Sequence, residues 1–391
     1  MMFLAWMAAL LAFAGVVVSL CGLRSLRALP RTALAENDGL PAITVLRPLH
    51  GDEPMLEAAL LSACRQDYPR FQVVFGVQRP DDPALAVVER VRALVPGRDI
   101  AVVCDDTADG ANRKIANLTN MLRAAKHDVL VVADSDIHAG PSYLRAIAAA
   151  LARPGIGLVT TLYTGLPANR SWAAALAADG ITYGFLPGAA LGRTMGRQDC
   201  LGATMALRRE TLAEIGGLTA LLNELADDNI LGQRVKARGY RIGLAPTIPA
   251  TTVPEAGIAA VLRHELRWAR TIRALEPAAF AASALQYPLV WAMLAVLLSG
   301  FRPQVLAVAL GAWALRAATA RAVARELARR QERAPPSPRV FLLPLRDLMS
   351  FGIWLAAFTG NRVEWRGRVL RARRAPAAYV LPGAAATQGI D

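Results

Sequence analysis

From residue 43 onward, apolar positions come in two alternating rhythms. "AITVLRPL" is a short apolar run, and "PMLEAALLSACRQDYP" carries its apolar residues at helical spacing until Pro69. "FQVVFGVQ" reads as a second strand, and "PALAVVERVRALVPG" as a helix opened by Pro83 and closed by Pro96-Gly97. "DIAVVC", "RKIANLTNMLRAAK" and "DVLVVAD" continue as strand, helix and strand. Strands alternating with helices of about 10–15 residues predict a mostly parallel sheet covered on both faces. Ligands of such sheets bind beyond the carboxyl ends of the strands. The pattern bounds an α/β domain over residues 41–275.

On either side the rhythm gives way to long apolar runs. Residues 1–23 carry no charge, and Arg24, Arg27 and Arg31 follow them. A run of about 20 apolar residues suffices to cross a hydrocarbon core. With the positive charges after the run and none before it, a retained anchor entering the cytoplasm is favoured over a cleaved signal peptide. Residues 277–360 return to the membrane. "PAAFAASALQYPLVWAMLAVLLSGF" predicts one span, and "PQVLAVALGAWAL", extended toward Arg316, a second. "FLLPLRDLMSFGIWLAAFTG" is interrupted by Pro344, Arg346 and Asp347 and lies between Arg-rich flanks, so a re-entrant or interfacial segment is predicted there. Residues 361–391 read as a basic cytosolic tail.

Charge sharpens the membrane reading. The 391-residue chain has 44 Lys+Arg against 31 Asp+Glu, a net +13, with the basic residues beside the apolar segments. That placement favours anionic lipid headgroups over nucleic acid. The four cysteines are widely spaced, which suggests neither a zinc site nor a disulfide framework and fits a reducing cytosolic domain.

The chemistry gathers at carboxylates. No GxGxxG follows the first strand, and GxxxxGK[ST], HExxH and a serine elbow are all missing. The strand "DVLVVAD" instead ends in Asp134-Ser135-Asp136, and residues i and i+2 of an extended chain point the same way. Two such carboxylates repel unless a cation lies between them or one takes up a proton. Asp81-Asp82 follow the second strand, and Asp227-Asp228 begin a predicted helix, where acidic residues also suit capping and the helix dipole. His50, His127, His138 and His264 show no metal-ligand spacing; all but His264 read as turn or surface residues.

The order of these pieces resembles the ceramide glucosyltransferase-like family of inverting glycosyltransferases with the GT-A fold, which act on nucleotide-diphosphate sugars. The resemblance is carried by "VLRPLHGDEP", "QDYPRFQVVFGVQRPDDPAL", "NRKIANL", "VVADSDI", "GATMALRRETLAEIGGL", "LADDN" and "HELRWARTIR", in the expected order from Val45 to Arg273. "VFGVQRPDDPAL", "LADD" and "RHELRWARTIR" look most like the bacterial hopanoid-biosynthesis glycosyltransferases. The resemblance implies that Asp82 contacts the uracil end of a UDP-sugar and Lys114 the nucleotide diphosphate. It implies that Asp134 and Asp136 hold Mg2+ or Mn2+ at the donor, and that Asp228 is the catalytic base. Arg267 and Trp268 match the (Gln/Arg)xxArgTrp motif of the donor site, with His264 standing where the family has Gln or Arg.

The residue types suit such chemistry. Hard carboxylate oxygens hold a divalent ion that stabilises a diphosphate leaving group, and a base activates a poorly nucleophilic lipid hydroxyl. Arg267 offers planar donors to phosphate oxygens, and a basic amphipathic helix around it suits the bilayer surface. Asp227 is left to cap its helix or orient a neighbour. The chain is thus expected to be a multi-pass protein of the bacterial inner membrane, its catalytic domain cytoplasmic, moving glucose or N-acetylglucosamine to ceramide or a hopanoid polyol. A processive polysaccharide synthase and a non-enzymatic lipid-associated scaffold are the alternatives.

Overall fold

A computed structural model describes residues 1–31, 39–330, 335–365 and 368–371. Most of the predicted basic tail (366–367 and 372–391) lies outside the described residues.

Seven strands form the central sheet: β1 (Ile43–Pro48), β2 (Phe71–Val77), β3 (Ile100–Cys104), β4 (Val129–Ala133), β6 (Ile156–Thr160), β8 (Thr204–Arg208) and β9 (Arg241–Leu244). Their order is β3-β2-β1-β4-β8-β6-β9, with β8 antiparallel to both neighbours and every other pair parallel. Period two divides the apolar residues between two cores. Val45, Val73, Phe75 and Val131 pack on one face with Leu60, Leu144 and Ile147. Leu46, Val74, Leu130 and Val132 pack on the other with Ile115, Leu118 and Met121. These strands are apolar on successive positions because both faces are covered.

The "NRKIANL" helix, Arg113–Met121, packs directly on β2. A Cβ at Gly76 would come within 2.4 Å of the Met121 side chain and 2.6 Å of Asn117 Oδ1, so the glycine lets these side chains lie against the strand. Asn117 Nδ2 donates to Gly76 O at 2.8 Å and fixes the helix against the strand. A second, three-stranded sheet stands at the carboxyl end of β4: β5 (Ile137–His138), β7 (Thr164–Pro167) and β10 (Ala250–Val253), ordered β5-β10-β7.

The outer segments are helical. Among the described residues, three helical segments are long and apolar enough to cross a membrane: Met2–Ala28, Pro303–Arg330 and Val340–Ala357. Pro277–Gln286 and Pro288–Ser299 form a further pair bent by 63°. Tyr287, the residue before Pro288, sits at φ −112° and ψ 62°, outside the helical region, as a following proline favours. The break therefore falls inside the stretch expected to be one span, which is bent there. By contrast Leu343–Ala357, in the stretch expected to be re-entrant or interfacial, is an unbroken helix: Pro344 lies in its first turn, where proline is tolerated.

Candidate active site

The site is built at the carboxyl end of β4. The turn after β4 is gripped from beneath by Arg47 of β1, 1% exposed, whose guanidinium donates to Asp134 O, to Ile137 O at 2.7 Å and to Ala59 O at 3.0 Å. Thr251 of β10 donates to Asp136 Oδ2 at 2.6 Å, and Ser135 Oγ donates to Glu53 Oε2 at 2.5 Å. Burial first, then the like charges of Asp134 and Glu53, push the Asp136 carboxyl up to about 7, against the pull of Thr251 and Arg47.

Lys114 joins this turn to the start of the helix Asp227–Ala237. Its Nζ lies 2.6 Å from Asp134 Oδ1 and 3.6 Å from Asp227 Oδ2. Burial opposes the ammonium, but Asp134, Asp227 and Asp228 outweigh it and hold its pKa above the usual lysine value. Asn112, the N-cap of the Lys114 helix, accepts from Ile115 N and donates to Asp227 Oδ1 at 3.2 Å. Asp227 thus orients Asn112 and Lys114; the helix it begins has Ala226 at its N-cap and no side-chain cap.

Asp228 is held differently. Its Oδ2 accepts from Gly202 N at 2.8 Å, in the loop before β8, and Oδ1 from Asn229 N at 2.7 Å. Burial and the neighbouring Asp227 raise its carboxyl to about 6, against the pull of Lys114 and the two backbone N–H groups. A carboxyl near 6 is ionised at neutral pH yet basic enough to take a proton from an alcohol in a transition state.

Asp82 stands after β2 and ties two loops together. Its Oδ1 accepts from Gly51 N and Ala84 N, both at 2.9 Å, and its Oδ2 lies 3.6 Å from His50 Nδ1. Arg267 and Trp268 lie on the helix Ile258–Leu275. Burial lowers the pKa of Arg267, opposed by Glu255, which also takes a hydrogen bond with His264 Nδ1. Burial works against the Glu255 carboxylate, but His264 and Arg267 hold its pKa below the usual range. The Trp268 ring meets His264 edge-on at 4.3 Å and packs in one apolar cluster with Tyr163 and Phe185. The Tyr163 hydroxyl is raised by burial and then by the fields of Asp228, Asp134 and Asp136. Tyr163 therefore stands between the aromatic cluster and the carboxylates. Among the described residues no hydrogen bond joins Arg267 or Trp268 directly to the acids.

Sequence reasoning missed Arg47, Glu53, Asn112, Tyr163, Thr251 and Glu255. An asparagine before an amphipathic helix is a readable cap signal, and a lone arginine in an apolar strand is a readable oddity. Thr251 offers no local signal.

Asp134 and Asp136 suit a divalent cation by donor type: hard oxygens whose mutual repulsion a cation would relieve. Among the described residues no group of three or more His, Cys, Asp or Glu is arranged to hold a metal. Such an ion would complete its shell with phosphate oxygens and water.

The family model described as Glycosyl transferase family 21 matches residues 4–378. A ceramide glucosyltransferase of Komagataella phaffii is 33% identical over 99 residues, covering 24% of this chain and 19% of that protein. Ceramide glucosyltransferase 3 of Caenorhabditis elegans is 23% identical over 244 residues, covering 62% and 53%. The matches thus span from about a fifth to about half of these relatives' lengths. Among solved structures, a mannosyltransferase from Pyrobaculum calidifontis, in complex with GDP-Man and Mn2+, is similar at a TM-score of 0.51. It is 20% identical, with 92% of this chain and 97% of that one covered. That likeness carries the fold, the GT-A arrangement expected from the sequence.

Proposed function

The chain belongs to glycosyl transferase family 21, and from that premise we propose that it transfers one hexose, with inversion, from a UDP-sugar to the hydroxyl of a membrane lipid. The observation that carries this reading is Asp228, a carboxyl raised to about 6, held by two backbone N–H groups in the field of Lys114, whose ammonium also pairs with Asp134. Asp228 takes the proton of the lipid hydroxyl as that oxygen attacks the anomeric carbon from the face opposite the departing diphosphate. The backbone donors from Gly202 and Asn229 fix the carboxylate's orientation, and Lys114 pulls its pKa down against burial and Asp227.

Asp82 receives the uracil end of the donor, Arg267 binds phosphate oxygens, and Trp268 offers an aromatic face to sugar or lipid. Lys114 balances the acids around the diphosphate. When bound at Asp134 and Asp136, Mg2+ or Mn2+ supplies neutralisation of the diphosphate charge. The arginines that follow the first apolar helix favour a cytoplasmic catalytic domain at the bacterial inner membrane. There the acceptor hydroxyl, of ceramide or of a hopanoid polyol, meets a cytosolic donor.

Lipid mass spectrometry on cells with and without the gene tests the reading. A glycolipid carrying one hexose or N-acetylhexosamine should disappear with the gene. A lost polysaccharide with unchanged lipids would favour a polymer synthase, and no change in either would remove the enzymatic reading.

A further inference from the structure

Arg346 lies on the helix Leu343–Ala357, within a segment apolar enough to cross a membrane, and is 7% exposed. A guanidinium there is tolerated only when its donors are met. Nη1 and Nη2 donate to Glu265 Oε1 and Oε2 at 2.9 and 2.5 Å, a two-pronged ion pair. Nε and Nη2 also reach Ser350 Oγ at 3.1 and 2.7 Å, and Nη1 reaches Leu176 O at 3.4 Å. The backbone is shaped around this group: a Cβ at Gly180 would lie 2.8 Å from the Arg346 Cζ. The next residue, Asp347, turns to the other helices, accepting from Leu289 N at 3.3 Å and lying 3.9 Å from Arg316.

Glu265 belongs to the helix Ile258–Leu275, between His264 and Arg267. At about 100° per residue it projects about 200° around the helix from Arg267, on the far side. The ion pair therefore holds the back of the helix whose front carries Arg267. We propose that Arg346 is a positioning residue for the transfer reaction: from a candidate membrane helix it grips Glu265 and fixes the roll and depth of Arg267, His264 and Trp268. The inference rests on the reaction proposed above. It gives the charged interruption of an apolar segment a purpose, registering the membrane helices against the donor site.

The test uses the full chain in lipid vesicles and the double variant E265L/R346M. Replacing both charges avoids stranding either one, so the melting temperature should stay near that of the parent. Its kcat should nevertheless fall between about tenfold and about 10²-fold, because misplacement by about 1 Å suffices for such a loss. The KM for the UDP-sugar should change less, and R346K should recover part of the rate. Backbone amides of residues 258–275 should exchange with solvent at least about tenfold faster, while those of the central sheet do not. Wild-type kcat in the double variant, or unchanged exchange over 258–275, would overturn the proposal. Should the double variant not fold, E265Q and R346K serve the same two readouts. If the parent transfers no sugar at all, the proposed reaction falls, and the exchange measurement still decides the grip.

Discussion

Two acidic pairs face each other across Lys114, and they are not alike. Asp134 and Asp136 stand at the tight turn after β4, closed by Ile137 N donating to Asp134 O at 3.2 Å; Asp227 and Asp228 are adjacent at a helix start. In each pair one member bonds or faces Lys114, namely Asp134 and Asp227, and the other is raised, Asp136 to about 7 and Asp228 to about 6. The raised members differ in what surrounds them. Asp136 has two further carboxylates near it, Asp134 and Glu53, against the Thr251 hydroxyl and the Arg47 guanidinium, which is engaged by backbone carbonyls of the turn. Asp228 has one carboxylate, one ammonium and two backbone N–H groups. On the proposed reading the first setting suits a cation and the second a proton in transit. On that reading one lysine, near Asp134 and Asp227, leaves the other two carboxylates to two kinds of chemistry.

The division breaks most sharply at Asp228. In Asp228→Asn, transfer should fall by about 10²–10⁴ while UDP-sugar binding, followed by calorimetry, stays near that of the parent. Donor affinity lost in parallel with rate would place Asp228 on the donor side. The next effect is Lys114→Met, which leaves Asp134 and Asp227 without their cation. Removing one partner of a buried pair destabilises by about 3–5 kcal/mol, and the partial exposure of Asp134 puts this case at or below the lower end. The melting temperature should drop more at pH 8 than at pH 6: Asp228, already raised to about 6, rises further without Lys114, and protonation relieves it at the lower pH.

The metal pair is sharpened by pH. A cation must displace the proton that Asp136 holds below about 7, so apparent Mn2+ affinity should fall about tenfold per pH unit beneath that value. Titrating EDTA-treated protein with Mn2+ at pH 6 and 7.5 checks this; equal affinities would separate Asp136 from the metal. The smallest effect belongs to Asp227→Asn. The amide oxygen can still accept from Asn112, and Lys114 keeps Asp134 at 2.6 Å, so the loss of the longer 3.6 Å attraction should cost less than Lys114→Met. The acid limb of the parent's kcat profile should lie near pH 6, the value of Asp228, and removing the charge that helps raise Asp228 should move it to lower pH. An unmoved limb would detach that limb from Asp228.

Much of this was legible because it is local. Strand and helix periodicity, the carboxylates after β4 and the pair at 227–228 all follow from spacing within a few residues. Lys114 was named by resemblance, yet its double role needs Asp134 and Asp227 brought together from distant sequence, which no spacing reveals. Asp227 had capping as one reading by composition alone, and packing gave it to Asn112 and Lys114 instead. In the C-terminal helices, Tyr287-Pro288 carried a readable break signal that apolar length obscured. Arg346 and Asp347 suggested an interrupted segment, but their partners, Glu265 and Arg316, lie on other elements and let the helix run unbroken.

The account stands most directly on the stereochemistry of a single transfer. Membranes bearing the full chain are to be supplied with α-linked UDP-glucose or UDP-N-acetylglucosamine and a lipid polyol or ceramide, and the product's anomeric proton coupling read by NMR. The account predicts one β-linked sugar per lipid, formed by the parent and not by Asp228→Asn. An α-linked product, or undiminished transfer by Asp228→Asn, would contradict it.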